Sequence, residues 1–446
     1  MKANRLAQAK RQRTTVLDPG FNAAPPRTMH IDLNSCFATI EQQSNRRQRG
    51  RPVAVVAYDH PNGIVLAASY EAKALGIGLG TTKREAQSIC PGIYIVEPDP
   101  PKYREAHRRF RSVLEGFTSA VDAKSIDEFT VNMEGSLSIA AGKTMEEIGY
   151  EMKQEVYRQV GEAVRCNVGI GPNRFLAKLA AGLHKPDGLD RVDAHNVEQV
   201  FAGLRLVDLP GINRRFNARL RLAGIGSPLD FLAAPRELLR GQVFHGIVGH
   251  YWWLRLRGWE IDDEPTKRST IGHQYAIPRH ERDPEHIAAI LAKLSEKTGR
   301  RLRSKGLIAR GIHVSVRQAN YNYWGQGMRV DVPMYATADI FRHSRRLFEQ
   351  SPDGEITLLS IGVHDFSPAH PEQLSFFDGE RSLSRHHAIA DAMDTINNRY
   401  GEFVVRPAGM FGAETSAKDA IAFGKLEDIG PTTFLEPHRT FYDEAP

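Results

Sequence analysis

The first ordered pattern in the chain is an alternation: Met29, Ile31 and Leu33 are apolar, and His30, Asp32 and Asn34 between them are polar. A period of two predicts a strand with one side in a core and the other turned away from it. Apolar runs at 51–57 and 64–68 predict two further strands, and 70–75 a helix that Gly76 ends. A helix over 103–117 precedes a second alternating stretch, 126–133, in which Asp127 shares a row with Phe129, Val131 and Met133. A carboxylate in an apolar row is costly to bury unless a cation or hydrogen-bond donors compensate it, so Asp127 requires a partner. From 173 to 183 the period becomes helical, with Phe175, Leu176, Leu179 and Leu183 on one stripe, and it breaks at Lys185-Pro186-Asp187-Gly188.

The segment 190–258 reads as a small helical unit. A different pattern starts after Arg268. A strand at 271–277 leads to a helix with Asp283 as N-cap, Pro284 in its first turn, an apolar stripe of Ile287, Ile290, Leu291 and Leu294, and Gly306 after its end. Strands at 312–316 and 328–332, a helix at 340–348 and a strand at 356–363 complete a β-α-β-β-α-β order, a split βαβ sandwich that forms its own domain. Past Pro368 the chain turns polar, with one helical stretch at 387–400. At the other end, 1–28 is basic and aperiodic and is read as a disordered extension. The fold class is α+β and multidomain.

Composition supports this picture and narrows it. With 446 residues the chain is too long for one core, and 41% hydrophobic with 25% charged residues is a globular balance. No apolar run approaches the roughly 18 residues of a membrane span, and 1–27 lacks the apolar stretch of a secretory signal, so a cytoplasmic protein with no membrane partner is expected. Cys36, Cys90 and Cys166 form no CxxC pair, which argues against a zinc site or a disulfide framework. The net charge of +6 is unevenly spread: 267–346 holds 16 Lys/Arg against 6 Asp/Glu, an excess of ten that exceeds that of the whole chain. A basic region of this kind suits a polyanionic partner.

Asp32, Asp127 and Glu128 are the candidate chemistry. Each could be a solvated polar residue. Brought side by side on neighbouring strands they could instead ligate two Mg²⁺ ions and align an attacking oxygen, a phosphorus and a leaving oxygen. Carboxylates alone do not separate a nuclease from a polymerase. A nucleotidyl transferase also needs cations and donors on the outgoing pyrophosphate, for which Tyr70, Lys73 and Lys185 are suitable. Lys73 could equally be a solvated helix residue, and Lys185 a cation at a helix C-terminus.

Five local strings then stand in order: Asp32-Leu33-Asn34-Ser35-Cys36-Phe37, Ala68-Ser69-Tyr70-Glu71-Ala72-Lys73, Ser125-Ile126-Asp127-Glu128, Phe175-Leu176-Ala177-Lys178 and His184-Lys185-Pro186-Asp187-Gly188. Their order and spacing resemble those of the Y-family translesion DNA polymerases, in the bacterial polymerase IV and polymerase V group, from about Met29 to Tyr400. The resemblance implies a right-hand fold of palm (29–34 and 98–189), fingers (35–97) and thumb (190–258), a linker (259–269), a little finger domain (270–366) and a C-terminal tail (367–446). It implies that Asp32, Asp127 and Glu128 are catalytic metal ligands, with the Leu33 carbonyl as another. The implied cofactor is a pair of Mg²⁺ ions, with Mn²⁺ able to substitute. Tyr70, Lys73 and Lys185 would meet the triphosphate of a dNTP. Phe37 would be the steric gate under the sugar, where the alternative is a core aromatic after a strand.

Leu209-Pro210-Gly211-Ile212 resembles the helix-hairpin-helix of the family's thumb, where Gly211 and Ile212 would hold a DNA phosphate; an ordinary helical turn is the other reading. Arg300, Arg301, Arg303 and Arg317 would grip primer-template DNA from the little finger. Gln373-Leu374-Ser375-Phe376-Phe377 resembles the peptide that hooks bacterial polymerases to the sliding clamp, with Gln373, Leu374, Phe376 and Phe377 as its contacts. Departures from the family pattern are Asn34 and Ser35 in place of an acidic residue and an aromatic, Lys73 in place of arginine, and Phe129 after the acidic pair. A template-directed DNA polymerase without proofreading, acting as a monomer, is therefore expected. The alternatives are a catalytically silent accessory paralogue that binds DNA and clamp, marked by loss of the acidic triad, and a metal-dependent nuclease, which has no use for Phe37 or Lys185.

Overall fold

The computed structural model describes residues 20–262, 269–369 and 380–419. At its centre is a five-stranded sheet in the order β5-β6-β1-β7-β8, built from β1 (Thr28–Leu33), β5 (Val121–Ala123), β6 (Glu128–Asn132), β7 (Cys166–Gly171) and β8 (Leu189–Arg191). β1 runs antiparallel to both β6 and β7, with Asp32 opposite Glu128 on one side and Asn167 on the other. Its apolar row works as the sequence predicts, but the polar row is covered as well: His30 is 2% exposed and only Asp32 is partly open. Met29, Ile31 and Leu33 join a core that includes Tyr103, Phe110 and Leu114 of a helix over Pro100–Glu115 and Ile148, Met152 and Val156 of another over Met145–Gln159.

Two local expectations change. Asp127 is not in the apolar row, because the chain bends at 125–127 and the strand starts at Glu128. The end of the basic extension is ordered: Phe21 packs on the helical unit, and the Asn22 N–H donates to the Arg257 carbonyl at 2.8 Å.

Between β1 and the rest of the central sheet the chain leaves to form a small unit, β2 (Val53–Val56), β3 (Val65–Ala68) and β4 (Tyr94–Val96) in the order β3-β2-β4, with a core of its own. Its helix Tyr70–Ala74 is capped by Ser69 and followed by Gly76 at φ 84°. The helix Cys36–Ser44 packs against β2 and β3 of this unit and also gives Phe37 and Ile40 to the central core. The helical unit after β8 shares its core with Phe175, Leu176 and Leu179 of the helix Arg174–Ala180.

The β-α-β-β-α-β order is present as β9 (Thr270–Glu281), a helix Pro284–Arg303, β10 (Leu307–Gln318), β11 (Tyr323–Met334), a helix Thr337–Phe348 and β12 (Ile356–Pro368), with strands longer than the periodicity indicates. All pairs in its sheet, β11-β10-β12-β9, are antiparallel. What the sequence does not announce is a further layer. The helix Glu380–Tyr400 and the segment that follows it lie over the helix Pro284–Arg303, and Ala413 and Ala417 enter this domain's core. The Lys293 ammonium, on a residue only 4% exposed, donates to the carbonyls of Ala413 and Glu414 at 3.0 and 2.9 Å. Among the described residues no helix is long and apolar enough to cross a membrane.

Candidate active site

The register of β1 against β6 sets Asp32 beside Glu128, and His30 lies two residues back on the same face. Ligand atoms of His30, Asp32 and Glu128 all fall within 4.8 Å of one another. Asp127, from the bend before β6, stands outside that cluster with its Oδ1 2.6 Å from the Ser125 hydroxyl, which donates to it. Burial raises its pKa; the Ser125 bond opposes this, and the charges of Asp32 and Glu128 raise it further. Glu128 behaves differently. Burial pushes it up, but contacts with His30 and Lys178 outweigh that and hold it at about 2.

Two lysines reach this acidic edge from different elements. Lys178 donates to both oxygens of Glu128 at 2.7 and 2.6 Å. Its helix comes close enough because β7 carries Gly169 and Gly171 on the face beneath it: a Cβ on Gly169 would stand 2.1 Å from the Ala177 carbonyl oxygen, and one on Gly171 2.5 Å from the Ala177 nitrogen. Lys185 donates to Asp32 at 2.6 Å. The loop that carries it is tied to the strand end by Asn34, whose side-chain oxygen Oδ1 accepts from the Asp187 N–H at 2.8 Å and whose side-chain Nδ2 donates to Asn167 at 2.8 Å. At position 34, where the family resemblance leads one to expect an acidic residue, an amide thus makes a neutral bridge.

Lys73 arrives from the small three-stranded unit. Its ammonium donates to the Ser35 hydroxyl at 2.7 Å and lies 4.5 Å from the centre of the Tyr70 ring. Burial lowers its pKa, the nearby Lys185 lowers it further, and Asp32 opposes them. Tyr70 is raised by burial and by Asp32. The structure therefore gathers Asp32, Asp127, Glu128, Tyr70, Lys73 and Lys185 into one place, with Leu33 hydrogen-bonded through its N–H to the Asp127 carbonyl at 2.9 Å. Phe37 is close by in sequence and 4% exposed.

Hard carboxylate oxygens held together at this density fit a divalent cation such as Mg²⁺ or Mn²⁺. The pKa of Asp127, raised by burial and by two neighbouring carboxylates, is a further sign of a site suited to positive charge, and the buried Nε2 of His30 faces Glu128 Oε1 at 3.9 Å. Nothing in the sequence singles out Lys178, Ser125 or His30 as functional. The available signals are that Lys178 and Ser125 stand inside the motifs Phe175–Lys178 and Ser125–Glu128 and that His30 shares the polar row of Asp32.

The residues expected to meet DNA divide. Gly211 is exposed at φ 86°, while Ile212 places its side chain in the core and its N–H on the Leu209 carbonyl at 3.0 Å. The helix Arg214–Leu222 after that turn adds four exposed arginines, Arg214, Arg215, Arg219 and Arg221. On the split βαβ domain Arg317 is exposed. Arg303 is not: its side chain is 2% exposed and grips both oxygens of Asp394 at 2.6 and 2.9 Å. Arg300 bonds Asn398 and Glu402, and Arg301 the Gly272 carbonyl. The expectation that Arg303 faces DNA is corrected by its burial under the layer of 380–419, and Arg300 points to that same layer. Gln373, Leu374, Phe376 and Phe377 lie outside the described residues.

Comparison with known proteins agrees with this geometry. The sequence matches the impB/mucB/samB family over residues 31–182 and that family's C-terminal domain over 268–376. It is 32% identical over 381 residues to a DNA polymerase IV of Pelotomaculum thermopropionicum, covering 83% of this chain and 92% of that one. It is 32% identical over 387 residues to a DNA polymerase IV of Moorella thermoacetica, covering 84% and 94%. A DNA polymerase IV 2 of Bacillus subtilis is 29% identical over 411 residues, covering 88% and 97%. Among solved structures, a Y-family polymerase chimera of Dbh and Dpo4 shares the fold with a TM-score of 0.64 at 23% identity, covering 76% of this chain and 98% of that one. Sequence relatives and fold together show that the chain belongs to the Y family of DNA polymerases, in its polymerase IV branch, and is a DNA-directed DNA polymerase of translesion synthesis.

Proposed function

We propose that the chain extends a primer 3′-hydroxyl by nucleotidyl transfer from a dNTP, with Asp32, Asp127, Glu128 and the Leu33 carbonyl holding two Mg²⁺ ions. Polymerases of this family depend on a divalent metal. Such ions lower the pKa of the attacking hydroxyl and stabilise charge on the phosphorus and the leaving oxygens. The protein's own part is positioning. Lys185 and Lys73, with the Tyr70 hydroxyl, supply donors where the pyrophosphate's charge develops. Phe37 excludes a 2′-hydroxyl. The turn at Gly211, the four arginines after it and the face bearing Arg317 hold primer-template DNA by its phosphates, so affinity falls steeply with salt. Gln373, Leu374, Phe376 and Phe377 engage a sliding clamp, and the protein acts as a cytoplasmic monomer.

The observation that carries this reading is the convergence of Lys185 on Asp32 at 2.6 Å with Lys73 beside it, because a nuclease needs the carboxylates but not two lysines for a triphosphate. Primer extension with Mg²⁺ and each dNTP tests it. Asp127→Ala combined with Glu128→Ala is expected to reduce extension by a thousandfold or more, on the order of the several kcal/mol a metal site supplies. Equal extension by the double variant overturns the reading.

A further inference from the structure

Phe37 and Glu41 stand one turn apart on the helix Cys36–Ser44, and both meet one residue of the helix Pro100–Glu115. The Phe37 ring stacks on Tyr103 with centroids 4.5 Å apart and planes 11° from parallel. The Tyr103 hydroxyl donates to Glu41 Oε1 at 2.7 Å, and Lys102 donates to Glu41 Oε2 at 2.9 Å. Tyr103 is fully buried and Glu41 is 3% exposed. Burial pushes the Glu41 pKa up, and its bonds to Lys102 and Tyr103 work against that. A buried carboxylate is an expensive way to fill a core, and an apolar side chain would do so without loss. What the carboxylate adds is a fixed direction: it anchors the far end of the ring on which Phe37 rests.

We propose that Glu41, Lys102 and Tyr103 are positioning residues for sugar selection, holding the Phe37 ring so that it cannot recede from a nucleotide's 2′ position. A steric gate discriminates by the energy needed to displace it, so a gate backed by an immobile ring is stricter than one backed by a ring that can tilt. The proposal rests on the gate role of Phe37, and the test separates the two.

The experiment is single-nucleotide insertion by the full chain, with kcat and KM for a dNTP and its matching rNTP. Tyr103→Phe keeps the ring and removes the anchor; Glu41→Gln weakens the acceptor. Each is expected to raise relative rNTP kcat/KM by about tenfold, the size of one buried hydrogen bond, through a lower rNTP KM, with dNTP insertion kept. The two changes combined are expected to do no more than either alone, since they break the same link. If Phe37→Ala admits rNTP while Tyr103→Phe and Glu41→Gln discriminate as wild type does, or lose both nucleotides equally, the proposal is overturned and the gate stands. If Phe37→Ala leaves discrimination unchanged, the gate falls and the proposal with it. Tyr103→Phe, which keeps volume and packing, decides the matter should Glu41→Gln fail to fold.

Discussion

In the palm, Asp127 lies within electrostatic range of two other carboxylates, with the Ser125 hydroxyl against its Oδ1. On the back of the little finger Arg303 is more deeply buried, yet it meets both oxygens of Asp394, the Tyr335 carbonyl at 3.1 Å and Glu296 at 3.9 Å. Lys293 and Lys297 nearby donate to four carbonyls of the final segment. Carboxylates crowd around Asp127 even though Lys185 and Lys178 hold Asp32 and Glu128, which suits an external cation, whereas the opposite charges enclosed around Arg303 form a staple. On the proposed reading, burial of charge serves a metal site in one region and architecture in the other.

The largest effect that would break this contrast is on stability. Arg303→Ala leaves Asp394 and Glu296 without their cation and is expected to cost about 3–5 kcal/mol in denaturant unfolding. Asp127→Asn, by removing a charge from a crowded acidic site, is expected to leave the metal-free protein at least as stable as wild type while extension collapses. A stable Arg303→Ala protein, or an unfolded Asp127→Asn one, would reverse the assignment of the two regions.

A second prediction concerns pH. His107, in the palm, is 4% exposed, stacks on Phe129 with ring centroids 4.7 Å apart and donates from Nδ1 to the Ile126 carbonyl at 2.8 Å, just ahead of the acidic pair. Burial lowers its pKa to about 4 despite that bond, with Arg111 and Arg108 adding to the effect. The unfolded chain takes up a proton first, so stability is complete above about 6.5 and declines as pH falls toward 4, by about 3 kcal/mol at most. Hydrogen exchange is expected to show palm amides loosening across that window while the little finger's staple stays closed. His107→Gln should flatten the palm's response, and an unchanged acid limb would remove His107 as its cause.

The smallest effect lies where the two regions touch. Arg104 of the palm helix Pro100–Glu115 meets both oxygens of Asp419 at 2.7 and 2.6 Å. Asp419 is 41% exposed, so a double-mutant cycle on the pair should return no more than about 1 kcal/mol. A coupling of several kcal/mol would mean that the final segment fixes the little finger on the palm.

The sequence discloses what repeats locally. The alternation of β1 and the β-α-β-β-α-β order are legible because each depends on a short period; the pairing of Asp32 with Glu128, far along the chain, is visible only through the motifs of the family resemblance. The helix Cys36–Ser44 escapes because all nine of its residues are buried, Glu41, Gln42 and Gln43 among them, so no apolar stripe stands out. β7 escapes because two glycines interrupt its apolar run. Arg303 is misread for a different reason: its charge is visible in the sequence, but Asp394, which neutralises it, lies 91 residues away. Tyr103 reads as an ordinary core aromatic until its hydroxyl is seen on a carboxylate from another helix.

Gly169 and Gly171 make the join between strand and helix in the palm one of main chain against main chain. A misfit between side chains can be relieved by trimming a neighbour, but here there is nothing left to trim. The offset between the Lys178 helix and the carboxylate strand is thus a constant of the scaffold that compensating substitutions cannot adjust. The opposite bank leaves more room for change, because Tyr70 and Lys73 ride a five-residue helix of the smaller unit and their contacts are made by side chains.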